Sequence, residues 1–272
     1  MPAHGPDAPP AGVTRWRSVL FVPGSRPELA AKATRTNPDV VVLDLEDAVP
    51  ADAKVAARTS MQEAVSGLAG QVVVAVRVNP PGSEWFADDL AAIPSGVDAV
   101  VVPKLEIPLD LGVPVVAGLE TVRGVADARD VLGGSVAACY FGAEDYIDNL
   151  GGVRTPGNLE VLYARSAVGI AARLAGVPAL DMVTLDFGDD DRFRAEAIEA
   201  RALGFAGKLC IHPAQVPLAN EAFLPSADEV DRARRLLAAY EAAGGSTIAF
   251  EGQMVDEVVA VQARSVLERD AR

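Results

Sequence analysis

Histidine is almost missing from this chain of 272 residues: His4 and His212 are the only two. That excludes a poly-histidine metal centre. Cysteine is as scarce, with Cys139 and Cys210 alone. Two thiols make no disulfide scaffold, and they fit a reducing compartment, the cytoplasm. Aromatic residues are 5% of the chain, too few for the stacking platforms that single-stranded nucleic acid requires. Positive charge is short as well. The 24 Lys and Arg stand against 38 Asp and Glu, a formal charge of −14. A field of that sign opposes sequence-independent binding to nucleic acid or to an anionic membrane. No apolar run approaches the length of a membrane span. The opening MPAHGPDAPPAG has no apolar h-region. Residues 1–13 therefore read as a disordered, Pro-rich lead and not as a signal peptide. Any catalysis must rest on carboxylates, arginine, or an ion they hold.

Apolar residues are plentiful, at 50% of the chain, enough for a large buried core. They recur in one rhythm. Short β-branched runs at 18–22, 40–45, 72–78, 99–102, 115–119, 137–141, 182–185 and 206–211 read as strands. Helix-like stretches at 27–35, 51–66, 83–91, 121–131, 159–175 and 190–202 lie between them. VVVLDL, VVVAVRV and DAVVVP are continuous apolar runs, as in strands of a parallel sheet buried on both faces. Eight such units favour a (β/α)8 TIM barrel over residues 14–222. The alternative is a doubly wound open sheet. It loses support because no G-x-G-x-x-G follows the first strand. Residues 223–272 fall outside the rhythm: a helix at 228–243, a Gly244-Gly245 stop, a short strand at 246–250 and a helix at 255–269. They read as a C-terminal cap that packs on a neighbouring subunit.

Active sites of such barrels lie at the C-terminal strand ends. There stand Asp44, Glu46 and Asp47 after strand 2, Arg77 and Asn79 at strand 3 and Lys104 after strand 4. Glu120 ends strand 5, Glu144 and Asp145 follow strand 6, Asp181 and Asp186 bracket strand 7, and His212 ends strand 8. Carboxylates converging without histidine point to a hard divalent cation such as Mg2+. Glu120 and Asp145, on adjacent strand ends, are the expected pair, with Arg77 forked onto a carboxylate or a developing oxyanion. Residues 142–145 are either an ordinary loop or a turn presenting backbone N–H groups to a substrate carboxylate. A Schiff-base role for Lys104 is the competing chemistry. Residues 15–36 hold Arg15, Arg17, Arg26, Lys32 and Arg35 against Glu28 alone. So local an excess on an acidic protein is either a solvated helix face or a short-range site for a phosphate-bearing small molecule.

The motifs RSVLFVPG (17–24), DVVVLDLEDAV (39–49), VRVN (76–79), GLETVRG (118–124) and FGAEDY (141–146) resemble the citrate lyase β-subunit-like proteins. GKLCIHP (207–213) and FEGQMVD (250–256) do so too. The wider group is the HpcH/HpaI aldolase superfamily, with the malyl-CoA and citramalyl-CoA lyases. The resemblance implies a Mg2+-dependent lyase. It would cleave or form a C–C bond in a 3-hydroxyacyl-CoA thioester of the malyl, citramalyl or citryl type, giving a 2-oxo acid and an acyl-CoA. It also implies a homotrimer, with a hexamer as the alternative. By position, Glu120 and Asp145 match the metal ligands, Arg77 the substrate arginine, and Glu144 with these the substrate pocket. Phe21, Arg26 and Lys32 match contacts to CoA. Asp256 matches an acid/base supplied by a neighbouring subunit, and Glu46 and Asp47 match residues that orient the metal through water. Two other expectations remain open: a subunit of a citrate lyase-like complex acting on an acyl-carrier thioester, and a CoA-free pyruvate aldolase.

Overall fold

The computed structural model describes residues 16–270; the expected lead at 1–13 and Arg15 lie outside them. Eight parallel strands close into a barrel in sequence order. They are β1 (Ser18–Pro23), β2 (Val40–Asp44), β3 (Val73–Arg77), β4 (Ala99–Val102), β5 (Val115–Leu119), β6 (Val136–Phe141), β7 (Ala179–Asp181) and β8 (Gly207–Cys210), and β1 pairs with β8. The helices around them are α1 (Pro27–Ala33), α2 (Lys54–Leu68), α3 (Phe86–Ala92), α4 (Val122–Ala126), α5 (Ala128–Val131), α6 (Ala143–Leu150), α7 (Leu159–Ala175), α8 (Asp190–Ala202) and α9 (Gln215–Ala222). The architecture is the (β/α)8 TIM barrel. Every residue of β2, β4 and β5 is buried, which is why these runs are apolar without alternation. Inward positions such as Val40, Val42, Ala75, Val101, Val116, Tyr140, Leu180 and Leu209 fill the lumen.

Most boundaries shift by one to three residues from the sequence reading, and three larger differences bear on the barrel. β7 lies three residues upstream of the expected 182–185 run. That run is apolar because Val183 and Leu185 wall the cavity at the barrel mouth, not because it joins the ladder. The single helix expected at 121–131 breaks at Asp127, whose φ of −98° and ψ of 16° are not helical. Residues 142–145, read as either an ordinary loop or a turn presenting backbone N–H groups, begin α6: Gly142 is its N-cap and Gly151, left-handed, its C-cap.

The outer layer hides an ion network. Arg165 on α7 donates to both oxygens of Asp181 (3.0 and 3.3 Å), and Lys208 Nζ lies 3.0 Å from Oδ2. All three side chains are fully buried. Asp181 thus turns outward from the lumen and takes no part in the mouth.

The chain divides into two compact units, one through Asn220 and one from Glu221. In the second, α10 (Ala227–Ala242) starts with a capping box between Ser226 and Glu229. The antiparallel β9 (Ile248–Phe250) and β10 (Gln253–Val255) follow, then α11 (Glu257–Asp270). Leu236, Leu237, Tyr240, Val255 and Ala260 form its own core.

Candidate active site

At the mouth, parallel register sets Asp44, the last residue of β2, opposite Arg77, the last of β3. Arg77 Nε and Nη2 donate to the two carboxylate oxygens of Asp44 at 2.6 and 2.7 Å. This is the bidentate fork that a planar guanidinium is built for. Burial works against the charge on Asp44, yet the Arg77 guanidinium holds its carboxyl below the usual range. Glu46 Oε2 lies 3.0 Å from Arg77 Nη1, and Asp47 lies 3.4 Å from Nη2. The guanidinium also rests 5.0 Å above the ring of Phe21. Glu46 is buried; burial pushes its carboxyl up to about 7 against the pull of Arg77. Its Oε2 is buried without an aligned hydrogen-bond partner.

Glu120 follows β5 and is 3% exposed. Its Oε1 accepts from the backbone N–H of Lys104 and from the Tyr140 hydroxyl, both at 2.9 Å. Burial, and then the nearby charge of Asp145, raise its pKa. Two glycines make this possible. A Cβ on Gly118 would collide with the Tyr140 ring and hydroxyl, and one on Gly142 would stand 2.6 Å from Glu120 Cβ. Asp145 lies in the first turn of α6. Lys104, with φ at +51°, places its ammonium 3.0 Å from Glu46 and 3.1 Å from Asp145. Burial lowers its pKa, but Glu46, then Glu120 and Asp145, raise it above the ordinary value. A firmly protonated amine is the opposite of what Schiff-base chemistry needs.

A cavity of about 410 Å3 opens here. Its lining mixes the charged Asp44, Asp47, Arg77, Glu120, Glu144 and Asp145 with the apolar Phe21, Val22, Val183, Leu185, Leu209 and Ile211. Among the described residues, no group of three or more His, Cys, Asp or Glu forms a metal cage. A hard cation held by one or two carboxylates, with water and substrate for the rest, requires no such cage.

The other expected residues are placed as follows. Glu144 lines the cavity and accepts from Arg154 Nε at 3.0 Å. Arg26 is exposed at the N-cap of α1 and bonded to Glu28; Lys32 is exposed in the last turn of that helix, and neither lines the cavity. Arg17, in the same basic stretch, is taken up by Asp39. Asp256 belongs to the second unit, where its carboxylate caps α11 by accepting from Val259 N–H. Sequence reasoning placed Asp44 at the mouth without a role and did not nominate Tyr140 or Arg154. Register offered a signal for two of them. Asp44 faces Arg77 on the neighbouring strand end, and Tyr140 pairs with Gly118, a large residue opposite the smallest.

The pattern of the HpcH/HpaI aldolase/citrate lyase family matches residues 17–112 and 111–213. The chain belongs to this family. It is 50% identical to the citrate lyase subunit beta-like protein of Deinococcus radiodurans, over 97% of this chain and 100% of that protein. It is 34% identical to a (3S)-malyl-CoA thioesterase of Cereibacter sphaeroides, over 93% and 94%. Among solved structures, CitE from Mycobacterium tuberculosis in complex with magnesium, acetoacetate and coenzyme A superimposes with a TM-score of 0.85. That match has 36% identity and covers 94% of this chain and 98% of that one. The family makes this chain a lyase-type enzyme, although names among its relatives include a thioesterase. No described helix is long and apolar enough to cross a membrane.

Proposed function

We propose that this chain is a Mg2+-dependent C–C lyase acting on a 3-hydroxyacyl-CoA thioester of the malyl, citramalyl or citryl type. The observation that carries this reading is Glu120. It is a buried carboxylate with one oxygen fixed by Lys104 N–H and Tyr140, and its charge is opposed by Asp145 in the first turn of α6. Two crowded carboxylates, beside the Glu46 Oε2 that pairs with Arg77 but accepts no aligned hydrogen bond, form a donor set that suits a hard cation. Glu120 and Asp145 would hold it, with Glu46 and Asp47 orienting its waters. The magnesium in the Mycobacterium tuberculosis relative supports this assignment. Bound there, Mg2+ supplies Lewis-acid polarisation of substrate oxygens.

In cleavage, the substrate 3-hydroxyl gives up its proton to solvent water and the C2–C3 bond breaks. Carbon 3 becomes the carbonyl of a 2-oxo acid, and carbon 2 carries the thioester enolate, which then takes a proton. Arg77, preset by Asp44, stabilises the negative charge that develops on oxygen. Asp256, supplied by a neighbouring chain in a homotrimer, delivers the proton to the enolate carbon, or removes it in the condensing direction. Phe21, Arg26 and Lys32 contact CoA in this reading, Lys32 and Arg26 as cations for its phosphates.

The test is to assay the purified chain with Mg2+ against malyl-, citramalyl- and citryl-CoA, measuring 2-oxo acid and free thiol separately. Release of 2-oxo acid without thiol is the expected result. Thiol release alone would make it a thioesterase, and no turnover of any ester would sink the proposal. Glu120→Ala and Asp145→Ala should each abolish Mg2+-dependent turnover. Mixing inactive Asp256→Ala and Glu120→Ala chains should restore activity; no rescue in verified mixed oligomers would refute the shared site.

A further inference from the structure

The Arg77 frame depends on a turn that must hold its shape. Residues 44–48 present Asp44, Glu46 and Asp47 to one guanidinium. From inside, the Asp44 carboxylate accepts from the N–H groups of Glu46 (2.9 Å) and Ala48 (3.0 Å). From outside, Lys54 at the start of α2 sends its three N–H bonds to Leu45 O (2.6 Å), Glu46 O (2.8 Å) and Asn79 Oδ1 (2.8 Å). Asn79 in turn donates through Nδ2 to Leu45 O and to Asp89, which Arg58 anchors. Lys54 is 5% exposed, and the Trp85 ring lies 5.0 Å from its ammonium.

A buried ammonium is costly, and a methionine would fill the same volume without that cost. All three of its hydrogen bonds go to uncharged acceptors, two of them carbonyls of the turn that surrounds Arg77. Packing alone does not call for that pattern. We propose that Lys54 is a positioning residue: from outside the barrel it fixes the 44–48 turn, and through that turn it orients Arg77 at the mouth. The inference rests on the reading of the mouth as the active site, but its structural half can be read without any substrate.

The experiment follows the Arg77 Nε–H by NMR in full-length protein labelled with 15N-arginine, the signal being assigned with Arg77→Lys. In Lys54→Met the exchange of this proton with solvent should quicken at least tenfold, while the Nε–H of buried Arg165 keeps its wild-type rate. With malyl-CoA, kcat should fall at least tenfold and KM change less than threefold. An unchanged Arg77 proton overturns the proposal, as does equal quickening at Arg165, which would mean general loosening. An unchanged kcat in a variant whose Arg77 is loosened overturns it too. If Lys54→Met does not fold, Asn79→Ala carries the same test, with at least threefold quickening at Arg77 expected and none refuting. A wild type inactive on every ester, with the Arg77 proton still responding to Lys54, would remove the functional reading and leave the positioning intact.

Discussion

Gly142→Ala isolates the geometry of the site from its chemistry. The backbone at Gly142 has φ −102° and ψ 102°, which alanine adopts freely, so no backbone penalty enters. The added methyl would stand 2.6 Å from Glu120 Cβ, and nearer still to Oε2. Carbon atoms in contact prefer about 3.5–4.0 Å. Glu120 or the start of α6 must therefore move by about 1 Å. A displacement of that size costs about 100-fold in rate, or about 2.7 kcal/mol in the barrier. Overpacking should cost a further ~1–3 kcal/mol of stability. Steady-state kinetics on malyl-CoA, Mg2+ titration calorimetry and urea unfolding measure the three effects. Gly157→Ala, where a Cβ meets nothing within 4 Å, is the control and should match wild type. A Gly142→Ala enzyme within threefold of the wild-type rate, with unchanged Mg2+ affinity, would refute the claim that Glu120 needs this cradle.

Arg77→Lys keeps the charge but loses the fork onto Asp44, so kcat should fall about 10²–10³-fold; near-normal turnover would refute the bidentate role. Asp181→Asn leaves Arg165 and Lys208 buried without their shared carboxylate. Unfolding by urea should show a loss of about 3–5 kcal/mol, and a loss below about 1 kcal/mol would show the network to be dispensable. Glu46 titrates at about 7 in the fold against 4.5 in its ordinary state. The fold therefore binds more protons than the open chain between those values, and this share of stability is lost as pH rises through 7. In metal-free protein the gap between wild type and Glu46→Gln should accordingly shift in favour of Gln as pH rises from about 5 to about 8; a gap constant across that range would refute the burial of a strained carboxylate.

Much of the barrel is written locally. Runs such as VVVLD and VVAGL are buried on both faces, and a strand so enclosed must be apolar at every position. Charged groups therefore collect where strands end, which is why Arg77, Glu120 and Asp145 stand out in the sequence alone. The same rule misleads at 182–185, where apolar side chains wall a cavity instead of a strand. Hydrophobicity reports an apolar surface and is blind to whether a strand or a cavity presents it; Leu185 there is exposed.

The sequence by itself determined the parallel strand rhythm, the scarcity of histidine and thiol chemistry, and the set of charges at the mouth. Only the tertiary structure decided how those charges are shared. Register on adjacent strands gives Arg77 to Asp44, close approach at Gly118 and Gly142 admits Tyr140 and Glu120, and Lys54 reaches the turn from the far side of β2. The contacts of Arg77 with Asp44, and of Glu120 with Lys104 and Tyr140, join residues 16 to 33 positions apart. The physical reason is that hydrogen-bond partners across strands are set by barrel closure and register, which no local pattern encodes.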